Sequence, residues 1–137
     1  MSRVSIINVY DRLPKDDIKD TQILTITKEQ KTSIFNRLSN DVDKNFEIRT
    51  MNVKDIEEKW EKDYCYISDY HSKHCIQEKY IRAQKFMLNT QNTINLSEIS
   101  IENEVISFED GRHRFCVLRD WGFDKIKIKV CKEELIK

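Results

Sequence analysis

The chain alternates short apolar stretches with highly charged ones, and the spacing inside each stretch sets the element it predicts. Residues 4–10, VSIINVY, are a nearly continuous apolar run closed by Asp11 and Pro14 and read as a buried strand. Residues 22–26 predict a second strand. Thr27-Lys28-Glu29-Gln30 then forms a capping box, in which hydroxyl and amide satisfy free backbone N–H groups at a helix start, and Ile34, Phe35 and Leu38 give that helix a core face. Residues 46–51 predict a strand. Val53, Ile56 and Trp60 recur at i, i+3, i+7, as a short acidic helix requires. Ile76, Tyr80, Ala83 and Met87 keep the spacing i, i+4, i+7, i+11 with lysines and arginine between them, which predicts an amphipathic helix. Residues 93–101 and 104–108 predict extended segments meeting at a tight turn near Asn103.

The last thirty residues are the most informative. The only two glycines, Gly111 and Gly122, bracket RHRFCVLRDW, whose Phe115 and Leu118 form an apolar stripe. Gly111 is expected to open a helix and Gly122 to close it, through the left-handed geometry of a C-terminal cap. Lys125-Ile126-Lys127-Ile128-Lys129-Val130 alternates strictly, as a strand with one buried face does. The unit is strand, glycine turn, helix, strand. With no linker or repeat, residues 1–137 read as a single α/β (α+β) domain, a mixed sheet flanked by helices.

Composition narrows the function. The 24 Lys and Arg cancel the 24 Asp and Glu, so the chain is no polycation gripping nucleic acid by bulk attraction. Charge is uneven along the chain: residues 1–70 carry 12 basic and 14 acidic side chains, whereas residues 71–92 set Lys73, Lys79, Arg82 and Lys85 against Glu78 alone. No apolar run reaches the ~18 residues of a membrane span, and the N-terminus lacks a signal-peptide pattern. A soluble, cytoplasmic protein with no membrane partner is expected. Its four cysteines then read as reduced thiols.

Glu109-Asp110-Gly111-Arg112-His113-Arg114 sits where a strand gives way to a helix. Glycine allows close backbone approach, the first helical N–H groups lack internal partners, and the helix dipole adds positive potential, so a phosphate would be favoured here. Arg112 and Arg114 add guanidinium donors, and His113 can donate to phosphate or shuttle a proton. Cations at a helix N-terminus oppose the dipole, a cost that a bound anion offsets. The structural alternative is a surface cluster in which Glu109 and Asp110 neutralise the arginines.

On these residues, ISFEDGRHRFCVLRDWGFDKIKIKV, within a signature segment at 104–131, the sequence resembles the ParB/sulfiredoxin-like superfamily. The DGRHR spelling is closest to small ParB-like nuclease-domain proteins and to plasmid- or phage-borne relatives such as fertility-inhibition factors. The resemblance implies that Gly111, His113 and Arg114 line a nucleotide-phosphate pocket with Asp110 and Arg112 beside it. It departs from the family in two ways. Sulfiredoxins carry their catalytic cysteine where this chain has Arg112, so sulfinic acid reduction has no nucleophile. The helix-turn-helix of chromosome-partition ParB proteins has no counterpart before Lys137, so centromere binding is not expected.

The expectation is a domain that binds the phosphates of a nucleotide or nucleic acid, with ATP or CTP and Mg²⁺ as candidate cofactors and Arg114 as the main side-chain anchor. As a nucleotidase, ATPase or nuclease it would use His113 as acid or base, Asp110 to position water or a metal ion, and Arg112 to stabilise developing charge. The alternative is a non-catalytic inhibitor or scaffold of a mobile element or phage, acting on a protein partner. Lys73, Lys79, Arg82 and Lys85 are candidates to extend the site. Cys65, His71, His74 and Cys75 have no zinc-site spacing, and no metal ligands are assigned. Trp60, Tyr64, Tyr66 and Tyr70 are expected to pack rather than stack on bases, and Cys116, turned away from Arg114 on the same helix, to be a core thiol.

Overall fold

A computed structural model describes residues 23–41 and 43–132, so the strand expected at 4–10 lies outside the described residues. Helix α1 spans Lys28–Arg37 and starts as its sequence requires. Thr27 Oγ1 accepts the Gln30 N–H at 3.1 Å, and Gln30 Oε1 accepts the Thr27 N–H at 2.7 Å. Strand β1 (Phe46–Asn52) leads directly into α2 (Val53–Trp60), which buries Val53, Ile56 and Trp60 at the expected spacing. Helix α3 (Gln77–Leu88) precedes the hairpin of β2 (Glu98–Glu102) and β3 (Val105–Asp110). Helix α4 (Arg112–Asp120) and strand β4 (Lys125–Cys131) complete the described chain.

The four strands form one mixed sheet in the order β1-β4-β2-β3. β4 runs antiparallel to β1, pairing Asn52 with Lys125 through to Phe46 with Cys131, and parallel to β2, pairing Ile99 with Val130. The β2–β3 turn has positive φ at both Asn103 (54°) and Glu104 (67°), the backbone that a two-residue hairpin of matching twist demands. Ile126, Ile128 and Val130 are buried on one face of β4, as the alternation predicts. The described residues thus form a single small α+β domain.

Two expected elements differ. Residues 23–26 form no strand, because side chains satisfy that backbone instead of a ladder. Leu24 N–H donates to Gln84 Oε1 (2.9 Å), and Leu24 O accepts from Trp121 Nε1 (2.8 Å). The buried face of α3 is Tyr80, Ile81, Gln84 and Met87, turned from the expected Ile76, Tyr80, Ala83, Met87. Gln84 goes inside because it has that backbone partner, and Ile76 stays outside the helix as its N-cap residue.

Helix α4 ends in a Schellman motif. Gly122 at φ 85° donates to Arg119 O (3.0 Å), and Phe123 N–H reaches Leu118 O (3.2 Å). Arg37, at the end of α1, secures the far end of α3: its guanidinium donates to Met87 O at 2.8 Å and to Asn89 O and Asn92 O at 3.0 Å. Orphan carbonyls at a helix C-terminus are thereby given a charged donor.

Candidate functional site

The glycine turn lies at one end of the sheet, where β3 passes into α4. The β2–β3 register slips there, since Glu98 pairs with Asp110 and Ile99 with Phe108, leaving Glu109 as the extra residue. Such a bulge bends the strand end and re-aims the chain as it enters α4. Gly111 is the N-cap of α4 at φ 80°. A Cβ placed on it would sit 2.6 Å from Arg114 Nη2 and 2.7 Å from Ser97 Oγ, so both the backbone angle and the space require glycine. Ser97, buried just before β2, donates its hydroxyl to Gly111 O at 2.7 Å, and its own carbonyl accepts the Lys129 N–H at 2.9 Å. The turn is therefore braced from the middle of the sheet.

Arg114 folds back over this glycine. Its Nη2 lies 3.3 Å from Asp110 Oδ2 and 3.5 Å from Leu96 O, while its buried Nε–H has no hydrogen-bond partner among the described residues. Asp110 is thus engaged by Arg114, and Glu109 accepts from Ser100 Oγ at 3.1 Å. Arg112 makes no side-chain hydrogen bond or ion pair among the described residues.

His113 is buried, and its Nε2 accepts the Ile76 N–H at 2.9 Å. That bond places the neutral ring's proton on Nδ1. Burial, with help from the Arg112 and Lys79 charges, pushes its pKa down to about 4. An acid–base role at neutral pH would need a pKa near the working pH and a ring nitrogen open to the ligand. Here one nitrogen is committed to holding the start of α3.

A cavity of about 640 Å³ opens between this turn and α3. One wall is Asp110 to Arg114, the other carries Lys79, Arg82 and Phe86, and Phe108 and Asn95 also line it. Of the four lysines and arginines singled out beside the motif, Lys79 and Arg82 join the cavity lining, whereas Lys73 and Lys85 do not. Four permanent cations, Lys79, Arg82, Arg112 and Arg114, thus line one cavity with two carboxylates, Glu109 and Asp110; both carboxylates already hold partners, and Arg82 pairs with Glu78 at 3.8 Å.

Phe86, Asn95, Ser97 and the Ile76 N–H were not singled out by sequence patterning. Phe86 had a legible signal, because it falls at i+7 from Lys79 and i+4 from Arg82 on the polar side of the helix. Ser97 and Ile76 had none, since their roles depend on partners 14 and 37 positions away.

Elsewhere the thiols and aromatics fall largely as expected. Trp60 and Tyr70 are buried; Trp60 packs edge-on against Tyr66, Phe108 and Phe115 at ring separations of 5.1, 4.6 and 5.7 Å. Tyr64 is instead exposed. Cys116 is fully buried, and burial pushes its thiol up to about 12. Among the described residues no three His, Cys, Asp or Glu side chains gather as a metal site, and no helix is long and apolar enough to cross a membrane.

A second polar cluster, with no counterpart in the sequence pattern, lies behind α4. Arg119 donates to Asp120 Oδ1 (2.9 Å), Glu57 Oε1 (3.1 Å) and Ile67 O (2.6 Å), Tyr66 donates to Glu57, and Tyr80 donates to Asp120 Oδ2 at 2.8 Å. Burial alone would lower the Arg119 pKa, but the Asp120 hydrogen bond and the surrounding anions hold it above its usual value. Apart from the buried Arg119 Nη2, which has no hydrogen-bond partner among the described residues, its members satisfy one another, as a structural network of low exposure favours.

No protein-family model, no curated protein and no solved structure matches the chain.

Proposed function

We propose that the cavity binds the phosphate groups of a nucleotide or nucleic acid at the Asp110-Gly111-Arg112-His113-Arg114 turn. The observation that carries this reading is the convergence of Lys79 and Arg82 from α3 with Arg112 and Arg114 from the first turn of α4. Like charges gathered at the positive end of a helix dipole repel one another, and a multivalent anion relieves that repulsion. The resemblance of the DGRHR segment to the ParB/sulfiredoxin-like superfamily supports the same ligand class.

The geometry favours binding over turnover. Hydrolysis by the expected route would ask His113 to exchange a proton at neutral pH, and its Nε2 is held by Ile76 N–H. The donor set also does not suit a resident Mg²⁺: Asp110 is shared with Arg114, Glu109 with Ser100, and no third oxygen ligand gathers there among the described residues. Arg112 and Lys79, whose side chains have no hydrogen-bond or ion-pair partner among the described residues, are the groups free to meet phosphate. Arg114 backs the turn, its Nη2 shared between Asp110 and Leu96 O.

Calorimetric titration with ATP, CTP and short DNA, each with and without Mg²⁺, tests the proposal. Arg112→Ala is expected to weaken binding about 10- to 100-fold, the value of one charge-assisted hydrogen bond, without lowering stability. Absence of binding by the wild type at millimolar ligand, or equal binding by Arg112→Ala, would overturn it.

A further inference from the structure

We infer that the cavity takes a single nucleic-acid strand, with Phe86 as the platform on which an unpaired base stacks; the inference rests on the proposed phosphate binding and deepens it. Phe86 is 45% exposed on α3, whereas Met87 beside it is fully buried. It does not belong to the core, yet it lines the same cavity as the cations. Lys79, Arg82 and Phe86 stand at i, i+3 and i+7, so they form one ridge of the helix, rising about 10 Å from the glycine turn end to the far end.

That order suits a strand. Ile76, at the head of the same helix, donates its N–H to His113 at 2.9 Å, and Lys79 lines the cavity with Arg112 to Arg114, so the phosphate end of the ridge meets the α4 N-terminus. Arg82 continues the positive track, and Phe86 closes it with an aromatic face. Proteins that hold single strands without regard to sequence combine these two features, a cationic groove for the backbone and aromatic faces for the bases. A closed mononucleotide pocket would instead surround the base with hydrogen-bonding edges. Here the rim aromatic is open, and the uncharged polar side chains in the lining are Asn95 and His113, whose Nε2 is already taken by the Ile76 N–H. A duplex keeps its bases stacked on one another and has no face to offer Phe86.

The platform is rigid where it needs to be. The Phe86 carbonyl accepts from Asn92 Nδ2 at 2.8 Å and from Asn89 N–H at 3.3 Å. Arg37 holds the carbonyls of Met87, Asn89 and Asn92 just beyond it in the chain. An aromatic group on a fixed helix end loses little freedom when a base settles on it.

The test uses fluorescence anisotropy with a labelled oligothymidylate of about 12 nucleotides, an abasic strand of the same length, the corresponding duplex, and ATP and pyrophosphate as competitors. Phe86→Ala is expected to weaken oligothymidylate binding about 5- to 100-fold, to leave the abasic strand and pyrophosphate unaffected, and to melt like the wild type. Phe86→Trp should restore or exceed wild-type affinity. If Phe86→Ala binds oligothymidylate as the wild type does while Arg112→Ala does not, the phosphate reading stands and the stacking platform falls. Tighter binding of the duplex, or of ATP, than of the single strand overturns the inference in the same way. If the wild type binds neither strand nor pyrophosphate, both readings fall together.

Discussion

His113 Nε2 accepts the backbone N–H of Ile76 at 2.9 Å across 37 positions of sequence. This bond joins the two walls of the cavity, because His113 belongs to the first turn of α4 and Ile76 is the N-cap residue of α3. It also fixes where α3 begins, and therefore the direction in which Lys79, Arg82 and Phe86 face.

Burial of the His113 ring beside the Arg112 and Lys79 charges makes stability sensitive to acid. The folded-state pKa of about 4 lies below the ordinary 6.5, so between those values the unfolded chain binds a proton that the folded chain refuses. Stability from this group is complete above about pH 6.5 and is lost as pH falls toward 4, by at most about 3 kcal/mol. Urea unfolding from pH 4 to 7 should show a steeper acid loss for the wild type than for His113→Gln, which keeps an acceptor but cannot take up a proton. Parallel pH profiles would show that the ring does not titrate in this way.

The two glycines should respond unequally to alanine. At Gly122, φ is 85° and the nearest atom to an added Cβ is Lys31 Nζ at 3.5 Å, so the cost is backbone strain of about 1–2 kcal/mol. At Gly111 the same strain is joined by the 2.6 and 2.7 Å approaches to Arg114 and Ser97, and the Ser97 bond to Gly111 O must shift. Gly111→Ala is expected to cost about 2–4 kcal/mol and to weaken phosphate ligands, whereas Gly122→Ala should leave binding unchanged. Chemical denaturation of both variants, with titration of each, separates the two effects.

Arg119 should matter for folding and not for the ligand. Replacing it by methionine leaves Glu57 and Asp120 without their shared cation, and breaking one side of a low-exposure ion pair costs about 3–5 kcal/mol. Adding Glu57→Gln should recover part of that loss, because one of the two orphaned charges is then removed. A double-mutant cycle on unfolding free energy reads this coupling. Ligand affinity measured well below the melting temperature should stay at the wild-type level in the single variant.

Elements governed by local chemistry were legible in the sequence. The Thr27–Gln30 capping box, the Val53, Ile56, Trp60 stripe, the hairpin turn at Asn103, the Schellman cap at Gly122 and the alternation of β4 each depend on residues a few positions apart. Hydrogen bonding and steric limits act at that range whatever the rest of the chain does. The placement of Gly111 at the head of a helix whose first residues are Arg112, His113 and Arg114 was readable for the same reason.

Tertiary structure decided what those residues can do. Gln84 is polar, and its burial depended on Leu24 offering an N–H from 60 positions away, which turned the face of α3 and cancelled the strand expected at 22–26 over its described part, residues 23–26. His113 had the residue type of a proton shuttle, but the Ile76 N–H claimed its Nε2 and burial lowered its pKa. Arg114 carries the charge of an anchor, yet it spends one edge on Asp110 and Leu96 O. Phe86 joined the cationic site only because α3 packs beside the turn. The physical reason is common to all four: a side chain's chemistry is set by which partners reach it and how much water remains, and the chain's path through space determines both.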